Sequence, residues 1–99
     1  MATPKLEPNE IAKRLGQLTS WSVEAGKLHR EFKFASFVEA FGFMASAALV
    51  AERLDHHPEW FNVYSTVRVD LTTHDAGGIT AVDFELATAM EQLARRPAP

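Results

Sequence analysis

Ser36-Phe37-Val38-Glu39-Ala40-Phe41-Gly42-Phe43-Met44-Ala45-Ser46-Ala47-Ala48-Leu49-Val50-Ala51-Glu52-Arg53-Leu54, running on into Asp55-His56-His57-Pro58-Glu59-Trp60, is the segment around which the rest of the chain is organised. Ser36 can cap a helix, and Glu39 three residues later can return the bond as a capping box. Glu39, Gly42, Ser46 and Arg53 recur at intervals of three, four and seven, so they form one narrow polar stripe. Phe37, Phe41, Met44, Ala48 and Ala51 lie off it. The spacing predicts a helix from Ser36 to about Leu54, most of it buried. Its uncharged run, Ala40 to Ala51, falls short of the roughly 20 residues that span a bilayer, so no membrane is expected. The ring of Pro58 disfavours the helical conformation for His57 and ends the helix, which leaves the His-His pair where helix gives way to loop.

Upstream, Pro8 suits the first position of a helix whose apolar stripe is Ile11, Leu15 and Leu18, stopping near Gly16 or Leu18. Trp21-Ser22-Val23 and Leu28 to Phe34 flank Glu24-Ala25-Gly26-Lys27 and predict a β-hairpin. Downstream, Val63, Val67, Val69 and Leu71 with polar residues between the later ones predict two short strands, or one strand with a bulge near Tyr64 to Thr66. Ala76-Gly77-Gly78 supplies a turn. Thr80-Ala81-Val82-Asp83 then opens a last helix carrying Val82, Leu86, Met90 and Leu93, with Arg95 and Arg96 placed well against its dipole. Residues 1–6 and 96–99 are expected to fray. The order is α-β-β-α-β-β-α, an α+β fold whose mostly antiparallel sheet carries its helices on one face.

With 99 residues, the chain is expected to form a single domain over 1–99 with a modest core that self-association would help. Its net charge of -3, with ten scattered Lys and Arg residues, argues against direct capture of nucleic acid. There is no cysteine, hence no disulfide and no thiol nucleophile. The first ten residues lack the apolar core of a secretory signal, so a cytoplasmic location is expected.

Three of the four histidines, His56, His57 and His74, fall in Asp55-His56-His57-Pro58-Glu59-Trp60 and Thr72-Thr73-His74-Asp75. Histidine gives and takes protons near neutrality. No recognised metal-ligand spacing links them, no Gly-x-Ser-x-Gly elbow is present, and Gly77-Gly78 lacks the Lys of a phosphate loop. General acid-base chemistry is what remains, with Glu52, Asp55 and Asp75 near the imidazoles. Trp60 and Phe61 offer either a flat wall to a planar heterocycle or simple core packing. Asp83 suits helix capping. His29 lies outside both signatures.

The segment Ala51 to Tyr64, followed by Thr72-Thr73-His74-Asp75, resembles pterin-4a-carbinolamine dehydratases, with support from Trp21 and from Phe41-Gly42-Phe43-Met44; the likeness spans about Ile11 to Leu93. The resemblance implies a four-stranded antiparallel sheet, a homodimer or homotetramer, and a pterin as small-molecule substrate. It implies dehydration of 4a-hydroxytetrahydropterin to quinonoid dihydropterin in the recycling that follows aromatic amino acid hydroxylation, with neither metal nor organic cofactor. It gives His56 and His74 to acid-base catalysis, in either order, and His57 mainly to binding. The resemblance further implies that Pro58 sets the turn, that Thr73, Asp75 and Ala76 line the pterin pocket, and that Glu52, Asp55, Trp60 and Asp83 stand behind the histidines, although helix capping is at least as fitting a role for Asp83. Some animal relatives also stabilise dimers of a homeodomain transcription factor, for which this chain offers no sharp motif.

Overall fold

The computed structural model describes residues 3–95, in the expected order of elements: α1 (Pro8–Leu15), β1 (Ser22–Glu24), β2 (Lys27–Lys33), α2 (Phe37–Leu54), β3 (Glu59–Val63), β4 (Thr66–Leu71), a 3-10 turn (His74–Ala76) and α3 (Ala81–Ala94). Arg96 and the rest of the expected C-terminal fray lie outside the described residues, as do residues 1 and 2. The sheet order is β1-β2-β4-β3, with every neighbouring pair antiparallel. Ala25 and Gly26 both take positive φ, 52° and 77°, as a two-residue hairpin turn matched to strand twist requires. The second apolar stretch is two strands rather than one with a bulge. Its turn is held by Asn62 Nδ2, which donates to the carbonyls of Tyr64 and Thr66 at 3.1 and 2.9 Å.

The period-two pattern decides which sheet face is covered. Leu28 and Phe32 on β2 and Val67, Val69 and Leu71 on β4 point inward and are buried, while Arg68 and Asp70 alternate outward. Over the inner face lie Ala40, Phe43, Ala47 and Ala51 of α2, with Phe84, Leu86, Ala87 and Met90 of α3 in the same core. Phe32 packs on Phe43 with ring centroids 4.7 Å apart. The buried Trp21 donates its indole N–H to Glu91 on α3 at 2.8 Å, and Glu91 also pairs with Arg30 of β2, which fastens this end of the sheet to the last helix. No helix among the described residues is long and apolar enough to cross a membrane.

Three expectations about these elements need correction. The long helix α2 is not mostly buried: Phe37, Val38, Phe41 and Leu49 are exposed, and Phe37 and Phe41 pack on one another at 6.0 Å. At about 100° per residue these side chains share one side of the cylinder, and the helix meets the core through the narrow strip of Ala40, Phe43, Ala47 and Ala51. A sequence pattern reports which positions are apolar; it does not report whether this chain or something else covers them. Lys5 and Leu6, read as fray, are instead tied down. Lys5 forms a β-bridge with Thr80, and the Leu6 N–H donates to the Ile79 carbonyl at 2.8 Å, because the strand-like entry to α3 offers unpaired backbone groups. Of the capping box expected on α2, only the bond from the Glu39 N–H to Ser36 Oγ forms, at 3.1 Å.

Candidate active site

The C-terminal end of α2, the N-terminal end of α3 and the exit from β4 meet at one end of the molecule. Helix α2 stops through a backbone device that Pro58 does not supply. Asp55 adopts the left-handed conformation, φ 51° and ψ 45°. Its N–H donates to the Glu52 carbonyl at 3.1 Å, and the His56 N–H donates to that of Ala51 at 3.0 Å. This is a Schellman closure, and Asp is among the few residues other than Gly that enter the left-handed region readily. Asp55 was expected to orient the histidines through its side chain. Its contribution is instead the turn that throws His56 back toward α3, and among the described hydrogen bonds its carboxylate makes none.

Asp83 receives His56. The N-terminal capping box of α3 is complete, with Thr80 Oγ1 accepting from the Val82 N–H at 3.2 Å and Asp83 Oδ2 accepting from the Thr80 N–H at 2.9 Å. The other oxygen of Asp83 lies 2.5 Å from His56 Nε2. One oxygen of Asp83 thus caps α3 while the other meets the His56 ring. Thr73 completes the arrangement: its hydroxyl donates to Asp83 Oδ2 at 2.8 Å and is 2.8 Å from Thr80 Oγ1. Thr73, expected to line a pocket, therefore directs its polar atom at Asp83. The Asp83 carboxylate is fully buried, and burying a charge is costly unless it is hydrogen-bonded; here three donors meet it.

The other two histidines are more open. His57 Nε2 is 2.8 Å from Glu52 Oε1, one turn back on α2, with both side chains largely in solvent. His74 begins the 3-10 turn closed by Gly77, whose φ of 75° favours glycine. Its Nε2 lies 3.4 Å from Glu59 Oε2. The second oxygen of Glu59 accepts from Lys27 Nζ at 2.6 Å. The Lys27 hydrogen bond, against a smaller opposing effect of desolvation and with help from the charges of Lys27 and His74, holds the Glu59 carboxyl below its ordinary value. Pro58 and Ala76 are half-buried, and Asp75 is exposed.

The two histidine signatures are thus joined twice, through Thr73, Asp83 and His56 and through His74 and Glu59. His29 stays apart on the open sheet face, 2.8 Å from Asp70 Oδ1. Trp60 packs inward against the core. Phe61 faces outward beneath the Arg68 guanidinium, 4.6 Å from its ring centroid. Both aromatics border a cavity of about 310 Å³ that His29, Glu59, Arg68 and Asp70 complete. A larger groove of about 610 Å³ between α1 and α3 contains none of the histidines. Among the described residues, no three His, Asp or Glu side chains converge as a metal-ligand group. Glu59 and Lys27 were missed as members of the site. Glu59 stands in plain view after Pro58, but Lys27 is 32 residues away and only strand pairing brings it near.

Chemically, the arrangement offers one shielded imidazole fixed by a buried carboxylate and two solvent-facing imidazoles, each beside a carboxylate of its own. Such a set can deliver one proton and accept another near neutral pH without a nucleophile.

Residues 4–93 match the family model described as Pterin 4 alpha carbinolamine dehydratase. A relative from Solibacter usitatus is 60% identical over 92 residues, covering 93% of this chain and 97% of its own. One from Rhizobium johnstonii is 56% identical over 98 residues, covering 97% of each chain. Both carry pterin-4-alpha-carbinolamine dehydratase in their names. A crystal structure from Brucella melitensis, named transcriptional coactivator/pterin dehydratase, superposes with a TM-score of 0.88 at 47% identity over 91% of this chain and 98% of that one. With the α-β-β-α-β-β-α fold and both histidine signatures in place, these matches establish that the chain belongs to the pterin-4a-carbinolamine dehydratase family.

Proposed function

We propose that this protein removes water from 4a-hydroxytetrahydropterin by histidine acid-base catalysis, regenerating quinonoid dihydropterin after aromatic amino acid hydroxylation. In this reaction the C4a–O bond breaks as a general acid protonates the departing hydroxyl. The N5–H proton goes to a general base, and the N5 electrons form the C4a=N5 bond. One substrate gives one product and one water, and the enzyme's net proton count is unchanged. His56 and His74 are the acid and base, in either order, and His57 with Pro58, Asp75 and Ala76 holds the pterin. The observation that carries this reading is the bond from His56 to the buried Asp83, since a catalytic imidazole needs a fixed ring and a defined proton.

Stopped-flow absorbance of 4a-hydroxytetrahydropterin, generated in situ by a hydroxylase, tests it. His56→Ala and His74→Ala should each slow dehydration on the order of 10² to 10⁴ fold, the usual worth of a positioned acid or base. Near-normal turnover by both folded variants would end the assignment.

The working form is proposed to be a homodimer or homotetramer in the cytoplasm. The exposed stripe of Phe37, Val38, Phe41 and Leu49 on α2, together with Phe61, Val63 and Tyr64 on and beside the edge strand β3, supports a second copy as the cover.

A further inference from the structure

His74 is the most exposed of the three site histidines, its side chain 80% accessible, and Glu59 is its one side-chain polar partner among the described residues. An imidazole in that situation samples many orientations, whereas proton transfer needs one. Glu59 itself is not free to wander. It opens β3, pairs in register with Asp70 of β4, and reaches Lys27 at the start of β2. Strand β4 lies between β3 and β2, so the ion pair from Glu59 to Lys27 spans β4 near its C-terminal end, from which Thr73 and His74 emerge.

We propose that Glu59 is a positioning residue for His74, clamped by Lys27, so that a line of Lys27, Glu59 and His74 sets the direction of the imidazole. This role rests on the dehydratase activity proposed above and adds two residues to it. One oxygen of Glu59 is committed to Lys27 at 2.6 Å, which leaves the other to face His74 Nε2 at 3.4 Å. At that separation the contact is electrostatic rather than a formed hydrogen bond, and it can shorten when substrate arrives or the ring takes up a proton. With Nε2 directed at Glu59, Nδ1 is the nitrogen left to meet substrate. The Lys27 hydrogen bond also keeps Glu59 ionised to lower pH than an ordinary glutamate, so the clamp persists across the working range. The arrangement parallels Asp83 behind His56, but at the surface and therefore with a smaller effect.

The test compares kcat and KM for wild type, Glu59→Gln, Lys27→Met and the charge-swapped double variant Lys27→Glu/Glu59→Lys, with folding checked by circular dichroism and urea midpoint. Glu59→Gln should lower kcat about 5-fold with KM nearly unchanged, the scale of a good exposed ion pair acting in the transition state. Lys27→Met should follow it in direction at about half that effect or less. The double variant decides the matter. It keeps an ion pair across the sheet but presents His74 with an ammonium, so its kcat should stay at or below that of Glu59→Gln even where its urea midpoint recovers. Wild-type kcat in Glu59→Gln, or restored kcat in the double variant, would overturn the positioning role while leaving the dehydratase intact. A wild type that does not accelerate the reaction overturns both, and that result is seen before any variant is compared.

Discussion

Replacing Asp83 separates its two tasks, because each carboxylate oxygen serves one. Oδ2 accepts from the Thr80 N–H at 2.9 Å and the Thr73 hydroxyl at 2.8 Å, while Oδ1 lies 2.5 Å from His56 Nε2. In Asp83→Ala the helix loses the return half of its capping box. A buried Thr80 N–H loses its acceptor, about 1 to 3 kcal/mol, and the charge-assisted bond to His56 goes, about 1.5 to 3 kcal/mol. Thr73 can still turn to Thr80 Oγ1, 2.8 Å away, so its hydroxyl adds little. The sum, roughly 2.5 to 6 kcal/mol, is a large part of the 5 to 15 kcal/mol by which a typical domain is stable, so Asp83→Ala should be severely destabilised. Asp83→Asn is more informative. Its amide oxygen can keep both bonds at the Oδ2 position, which puts the NH₂ donor against His56 Nε2 and requires that nitrogen to accept, moving the ring proton to Nδ1. Stability should fall by only about 1 to 2 kcal/mol, read from urea unfolding by the fluorescence of Trp21 and Trp60. The dehydration rate should fall on the order of 10² fold or more, because the proton is on the wrong nitrogen. An Asp83→Asn protein that unfolds at the wild-type midpoint and turns over at the wild-type rate would refute the dual role.

Three further outcomes are expected. His29→Ala, which removes a ring bound to Asp70 on the open sheet face, should leave dehydration within about 2-fold of wild type in the stopped-flow assay, as expected of a side chain outside the reacting set; a large loss in folded protein would mean the site extends across the sheet. Glu59 has its folded value depressed below 4.5, first by the Lys27 hydrogen bond, so the stability it adds is present above that pH and is lost as pH falls through the depressed value. The gap in urea midpoint between wild type and Lys27→Met should accordingly be constant near neutrality and close under acid, and a gap that widened in acid would contradict the assigned cause. Leu49→Glu, at a position 75% exposed in the single chain, should shift sedimentation toward monomer without changing the circular dichroism. A wild type already monomeric at micromolar concentration would show that the α2 stripe is not a self-contact.

How much of the site could be read in advance differs from residue to residue. Thr80-x-x-Asp83 is a local signal, since both halves of a capping box lie within one turn, and it forms as expected. The spacing attributes the stop of α2 to Pro58, whose ring disfavours the helical conformation for His57. The left-handed residue that closes the helix is Asp55, a choice that polar side chains make possible but that spacing does not announce. The bond from His56 to Asp83 joins residues 27 positions apart, and that from His29 to Asp70 joins residues 41 apart; no periodicity encodes either. The family resemblance alone places Thr73 in the pterin pocket, and strand direction and the bridge to Gly78 turn its hydroxyl toward Asp83.

Local chemistry therefore accounts for the elements themselves. Hairpin turns, caps and period-two or helical spacing act over a few residues, and so the order α-β-β-α-β-β-α and the inward Val67, Val69 and Leu71 follow from the amino acids, whereas Val63, read into the same alternation, lies exposed on the edge strand. The proton chemistry proposed here rests in the same way on residue type, in the two histidine signatures. What required the assembled molecule is every property that depends on which distant surfaces meet. The meeting of α2, α3 and β4 buries Asp83 behind His56, leaves His74 open with Glu59 and Lys27 beside it, and uncovers the apolar side of α2. Burial, pairing and exposure are relations between segments, and a linear pattern carries only the propensities of each.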